Sequence, residues 1–412
     1  MPLRLGTIAD DLTGATDLAL TLARSGMSVR QTVGIPADPN AISGADAVVI
    51  SLKSRTIPAA EAVTQSLDAA KVLLAAGAAQ LFFKYCSTFD STDAGNIGPV
   101  IDALLDLLGE DRTLACPAFP TNKRTVYKGH LFVGDQLLSD SPMKDHPLTP
   151  MRDANLVRVL GRQTTRPVHL VDINAVRGEH LDHGLSDKPG IAIVDALDDA
   201  DLLAIGRAAA NMRLVTGGSG VAMGLPANWG ISQRTNATRH QSPSGRTLVL
   251  AGSCSGATRQ QISVAMAAGF DGLQLDPIEI AAGRQTISDA LDFATKATVT
   301  PVIYASATPE AVAKSQNALG RDRAGAVVEA FLSELAPLLV NRGFGQLIIA
   351  GGETSGAVVA GLGLESLDIG PEIDPGVPWM YSKAGETPIA IALKSGNFGA
   401  DNMFIKAWDL LR

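Results

Sequence analysis

Short runs of Val, Ile, Leu and Ala recur along the chain, separated by longer stretches in which apolar residues return every three or four positions. The runs at residues 4–8, 47–51, 81–85, 113–116, 169–172, 191–195 and 213–216 predict strands without a polar face. Between them, residues 59–76 and 198–212 carry the helical period. Strands that are apolar throughout belong in a sheet covered on both faces. Their alternation with amphipathic helices predicts an α/β protein built on mostly parallel sheets flanked by helices.

The pattern breaks once. Residues 231–245, ISQRTNATRHQSPSG, are polar, hold Ser, Asn, Pro and Gly, and have no hydrophobic period, so they read as a linker. Beyond them the alternation restarts with strands at 246–252, 271–275, 300–304, 346–350 and 388–393. Two α/β domains are expected, 1–235 and 246–412, with the active site in the cleft between them.

Composition narrows the function without naming it. The 412 residues are 46% hydrophobic and only 4% aromatic, and the formal net charge is −8. An acidic chain without a basic stripe argues against nucleic-acid binding. No stretch is long and apolar enough for a membrane span, and no signal peptide opens the sequence. Three cysteines, Cys86, Cys116 and Cys254, form neither a disulfide framework nor a zinc motif, so a reducing cytoplasm is the expected location. Nothing specifies an assembly; a homodimer is the base-rate expectation.

Candidate chemistry lies where strands end. IADDLTGATD at 8–17 places three Asp within eight residues at the carboxyl end of the first strand, where open α/β sheets bind ligands. One of these carboxylates can orient a substrate hydroxyl or take its proton; capping of the next helix is the competing reading for Asp11. FKYCSTFDST at 83–92 offers Lys84 and Asp90 in a hydroxyl-rich turn. CPAFPTNKRT at 116–125 sets Arg124 in a Pro-bounded loop, where its planar guanidinium can grip a carboxylate. DHPLTPM at 145–151 holds His146 between extended, proline-stiffened segments.

The second half repeats one device three times: LVLAGSCSGAT at 248–258, LIIAGGETSGAV at 347–358 and IALKSGNFGADNMF at 391–404. Each is an apolar strand that breaks at glycines and hydroxyl or amide residues, then enters a helix. Glycine permits close backbone approach, and the helix start presents free N–H groups to an anion. Three such loops in one domain point to nucleotide phosphates, although none matches a Walker A or dinucleotide fingerprint. TGGSG at 216–220 has the same look and could contribute to the crevice, with a simple turn as the default expectation.

Together these segments, in order over nearly the whole chain, resemble the four-carbon acid sugar kinase family. The resemblance implies an N-terminal acid-sugar domain and a C-terminal ATP domain. It implies transfer of the γ-phosphoryl group, with Mg²⁺, to the 4-hydroxyl of a small acid, 3-oxo-tetronate first and D-threonate, L-threonate or erythronate as alternatives. Carried onto this chain, the acid-sugar contacts are Asp10, Asp11, Lys84, Asp90, Arg124 and His146. The ATP contacts are Ser255, Gly352, Glu353, Thr354, Ser355, Gly356 and Gly396. Asp11, Lys84 and Arg124 are the expected catalytic set. After Gly399 the chain runs Ala400-Asp401, which departs from the family's order, so no base is assigned to Asp401. The rival classes are a dinucleotide-dependent oxidoreductase and a non-catalytic acid-sugar sensor.

Overall fold

The computed structural model describes residues 3–37, 42–145, 149–179, 181–232 and 242–411. The chain divides into two compact units, Met1–Thr235 and Asn236–Arg412. Most of the expected linker, residues 233–241, lies outside the described residues.

The first unit carries β1 (Leu5–Ala9), β2 (Val29–Val33), β3 (Ala47–Ser51), β4 (Gln80–Lys84), β5 (Arg112–Cys116), β6 (Arg124–Tyr127), β7 (His130–Val133), β8 (Gln136–Leu137), β9 (Val168–Val171), β10 (Gly190–Val194) and β11 (Leu214–Gly217). Its main sheet is parallel, in the order β2-β3-β1-β4-β11-β5-β10-β9, and β6-β7-β8 form a small antiparallel sheet. Every residue of β1, β3, β4 and β10 is buried, as strands covered on both faces require. The chain leaves β1 for β2 and β3 on one side and for β4 on the other. The carboxyl ends of β1 and β4 therefore flank the point where the winding reverses, the position at which such sheets open a ligand crevice.

The second unit carries β12 (Arg246–Ala251), β13 (Asp271–Gln274), β14 (Pro301–Tyr304), β15 (Phe344–Ala350), β16 (Ser366–Asp374), β17 (Val377–Ala384) and β18 (Thr387–Lys394). Strands β13-β14-β12-β15-β18 are parallel, and β17 and β16 continue the sheet antiparallel. Val249, Ile348, Trp379, Phe404 and Trp408 belong to its core. The α/β expectation holds in both units. Among the described residues no helix is long and apolar enough to cross a membrane.

The predicted strands agree with the observed ones to within a residue or two at each end; β2, β6, β7, β8, β16 and β17 have no predicted counterpart, and two of them show why. In β2 the sequence VRQTV hides its burial, because Gln31 is fully buried yet polar. The Gln31 side chain accepts from Thr16 Oγ1 at 3.1 Å and donates to Leu12 O at 3.4 Å. Strand β16, SLDIGPEID, holds Gly and Pro and pairs with register irregularities, so it has no clean period of two.

Candidate active site

Apolar β1 ends at Asp10 and Asp11, and helix Leu12–Arg24 starts directly after them. Asp11 caps that helix by accepting from Gly14 N at 2.9 Å. The capping reading of Asp11 is thus realised, but only through Oδ1; among the described residues no hydrogen bond occupies Oδ2. Asp10 is buried and receives a bidentate grip from Arg55, whose Nε and Nη2 each lie 2.8 Å from a carboxylate oxygen. Arg55 Nη2 also stands 2.8 Å from Asp11 Oδ1. Burial raises the Asp10 pKa while Arg55 pulls against it and neighbouring Asp11 adds to the rise.

Strand register sets the partner across the crevice. Ala9 of β1 pairs with Lys84 at the end of β4, so the buried Lys84 emerges beside the two Asp. Its Nζ donates to Tyr85 O at 2.7 Å. An ammonium has three donors, and no carboxylate among the described residues forms an ion pair with this one. Gly14 makes room for it, since a Cβ there would stand 3.0 Å from Lys84 Nζ and 2.3 Å from Asp11 Oδ1. Asp17, one helical turn beyond Gly14, accepts from Ser219 Oγ at 2.6 Å. Burial raises its pKa, partly offset by the Lys84 charge and the Ser219 hydroxyl.

Asp10, Asp11 and Lys84 thus come together, and three further residues join them. Asp17 is the third carboxylate of the first motif, without a role of its own in the sequence reading; Arg55 was not singled out there, and Ser219 only as part of TGGSG. Arg55 sits in a loop after β3 without a local motif; the TGGSG turn, expected to be simple, delivers Ser219 to the site.

Asp90 has a more local role. Its Oδ1 accepts from Thr88 Oγ1 at 2.6 Å, and Cys86 Sγ lies 2.9 Å from the same hydroxyl. Burial pushes the Cys86 thiol up to about 11, with Asp90 adding to the rise, so it is not a ready nucleophile. Arg124 opens β6, donates to Asn122 O, and keeps a buried Nε without a hydrogen-bond partner. No described contact ties it to Lys84 or the Asp pair. His146 lies outside the described residues.

In the second unit, register places the three glycine loops side by side. Ala251 of β12 pairs with Ala350 of β15, which pairs with Lys394 of β18. Ser255 caps helix Gly256–Ala267 by accepting from Thr258 N at 3.2 Å, and its Oγ lies 2.6 Å from Gly396 O. Helix Gly352–Gly361 begins after Gly351, whose φ of 130° favours glycine. Gly352 and Glu353 are exposed at that helix start, Thr354 and Ser355 are buried beneath it, and Gly356 is half-buried. Ser355 Oγ is buried without a hydrogen-bond partner. Asp401 is exposed on the far side of Gly399.

Glycines let the loops approach closely. A Cβ on Gly252 would stand 2.1 Å from Thr354 Oγ1, and one on Gly396 would stand 2.6 Å from Ser253 Oγ. Gly252→Ala should therefore force the first two loops apart and destabilise the fold by about 1–3 kcal/mol as overpacking does. Thermal unfolding of the variant beside the wild type checks this; an unchanged midpoint would show that the contact has room to relax.

Comparison with known proteins agrees with this division. Residues 5–225 match a family described as a sugar-binding N-terminal domain, and residues 248–404 match one described as a nucleotide-binding C-terminal domain. The chain is 51% identical over 413 residues to a 3-oxo-tetronate kinase of Pseudomonas savastanoi pv. phaseolicola, covering 98% of this chain and 96% of the relative. It is 53% identical over 414 residues, with the same coverage, to a 3-oxo-tetronate kinase of Burkholderia multivorans. A crystal structure of a Haemophilus influenzae protein superposes with a TM-score of 0.87 at 41% identity, covering 99% of this chain and 100% of the other.

Proposed function

Because the chain belongs to the four-carbon acid sugar kinase family, we propose that it transfers the γ-phosphoryl group of ATP to the 4-hydroxyl of 3-oxo-tetronate. The observation that carries this reading is the full-length likeness, above half identity, to relatives named for that activity. Both groups of loops have the chemistry such a reaction needs.

Phosphoryl transfer asks an enzyme for position and charge compensation, because its transition state is loose and anionic. The acid sugar brings a carboxylate and several hydroxyls. Lys84, buried with donors to spare, would hold the carboxylate, and Arg124, with its unpartnered Nε, would be the second cation. Asp11 is the proposed orienting group: Oδ1 is tied to the helix and Arg55, which leaves Oδ2 to accept from the 4-hydroxyl. The 4-hydroxyl oxygen attacks the γ-phosphorus, the bond from phosphorus to the β,γ-bridging oxygen breaks, and ADP leaves with the electron pair. The hydroxyl proton passes to Asp11 or to solvent. Asp10 and Arg55 fix the loop, while Asp90 and His146 are proposed to read the remaining hydroxyls.

On the donor side, Ser255, Gly352, Thr354, Ser355, Gly356 and Gly396 would surround the phosphates with backbone N–H groups and hydroxyls. Glu353, an acid at the same helix start, suits a ribose hydroxyl or a hydrated cation better than a phosphate. Mg²⁺ would supply charge neutralisation for the phosphates, with Glu353 the acid at this helix start that could face it. Among the described residues no cluster of three His, Cys, Asp or Glu side chains forms a cage for it.

The deciding experiment is an ATP-consumption assay with Mg²⁺ against 3-oxo-tetronate, both threonates and erythronate, with the phosphorylated product identified by mass. Turnover on 3-oxo-tetronate well above the rest is the expected result. Preference for another of the four acids would keep the kinase and replace its substrate. Phosphorylation of none would overturn the reading.

A further inference from the structure

We infer that Lys394 is the resident cation of the nucleotide loops, a positioning residue that pins two of them together and supplies positive charge to them when polyphosphate binds. The inference rests on the nucleotide reading of the second unit.

Lys394 is the last residue of β18 and is 1% exposed. Lysine is almost never buried to that degree unless a carboxylate pairs with it. Here the partners are neutral: Nζ donates to Thr258 Oγ1 at 2.8 Å and to Gly396 O at 3.0 Å. Three donors converge on that one carbonyl, since Ser255 Oγ lies 2.6 Å and Thr258 Oγ1 2.9 Å from Gly396 O. The backbone joins the third loop to the same point, because Gly351 N donates to Lys394 O at 2.9 Å. The ammonium of Lys394 therefore ties the β12 and β18 loops, and the backbone carbonyl of the same residue meets the β15 loop.

The surroundings do not balance its charge. The titratable groups on the elements around it include Cys254 and Arg259 after β12, Glu353 at the head of helix Gly352–Gly361, Tyr381 and Lys383 on β17, Asp401 beyond the loop, and Asp374, which accepts from Ala400 N of that loop and pairs with Lys406. None of them forms an ion pair with Lys394. An ammonium kept out of water without a counter-charge is costly, and such groups cluster where a charged ligand completes the balance. The loops around Lys394 are those whose glycines and helix starts suit an anion, so the missing partner is the polyphosphate. Burial lowers the Lys394 pKa to about 8, so part of the population is neutral in the absence of ligand. An arriving polyphosphate favours the charged form, and binding should draw in a proton. A lysine present only for packing would have no such response.

The test is calorimetric titration of the full chain with ATP and Mg²⁺, without acid sugar, at about pH 8 (near the folded value of the group) in buffers of different ionisation enthalpy. The wild type should take up a fraction of a proton. Lys394→Met should lose that uptake and bind ATP about 10- to 100-fold more weakly, the range for losing a hydrogen bond with a charged donor. Lys394→Arg, always charged, should recover affinity without the uptake. Thermal unfolding of each variant without ligand controls for folding. Two results would overturn the inference: wild-type affinity and uptake in Lys394→Met, or ATP binding by the wild type without any uptake. Failure of the wild type to bind any nucleotide would instead remove the kinase reading, and this inference with it.

Discussion

Asp11→Asn should lower turnover by about 10²-fold or more, the contribution typical of a positioned proton acceptor, and leave ATP affinity unchanged. The substitution separates the two roles that meet in this side chain. As helix cap, Asp11 accepts from Gly14 N through Oδ1, and asparagine caps about as well as aspartate. The ion pair lost to Arg55 is minor, since Arg55 keeps its bidentate grip on Asp10. Stability should therefore change by less than about 1 kcal/mol, as for a partly exposed pair. What asparagine cannot do is take a proton from the attacking hydroxyl. Steady-state kinetics on the acid sugar, with ATP titration alongside, reads the outcome. Near-normal turnover would move the orienting role to Asp17, whose raised pKa and place beside Ser219 make it the next carboxylate in line.

Arg55→Met should destabilise the protein by about 3–5 kcal/mol, because it leaves the buried Asp10 carboxylate without its partner. The sign of the pH dependence follows from the environment of Asp10. Burial raises its pKa and Arg55 opposes that rise, so removing the guanidinium lets burial dominate. The folded variant then holds a proton to higher pH than the unfolded chain does. The Asp10 contribution to stability should be fully present below the unfolded carboxylate value of about 3.9, and should be lost as pH climbs from there through the raised folded pKa, so the deficit of the variant against the wild type widens with pH. Adding Asp10→Asn removes the charge and should recover much of the loss. Urea unfolding of the single and double variants across pH measures both effects. A wild-type midpoint in Arg55→Met would show that the pair does not hold this loop.

The largest expected effects thus fall on one residue that stood out in the sequence and one that did not. Asp11 is legible because its signal is local: an apolar strand, two acids, then a Thr-Gly turn. Arg55 lies 45 positions from Asp10 in a loop of ordinary composition, and nothing near it announces a partner. The same holds for Ser219, 202 positions from Asp17, and for Lys394, 136 positions from Thr258.

The sequence by itself determined the elements and the loops that carry chemistry. Periodicity is a property of neighbouring residues, and a strand covered on both faces needs no distant information to read as apolar. The glycine loops were visible for the same reason, since backbone approach to an anion demands glycine at the spot. Where a strand mixed buried polar residues into its pattern, as Gln31 does in β2, the local signal failed. Tertiary structure alone decided which strand lies beside which, and so which loops share a rim. The order β3-β1-β4-β11 brings Arg55, Asp10, Asp11, Lys84 and Ser219 to one edge, and β12-β15-β18 gathers three loops around Lys394, two at its ammonium and one at its backbone carbonyl. Those adjacencies come from long-range pairing of many weak contacts, in which no short stretch of sequence has a deciding share.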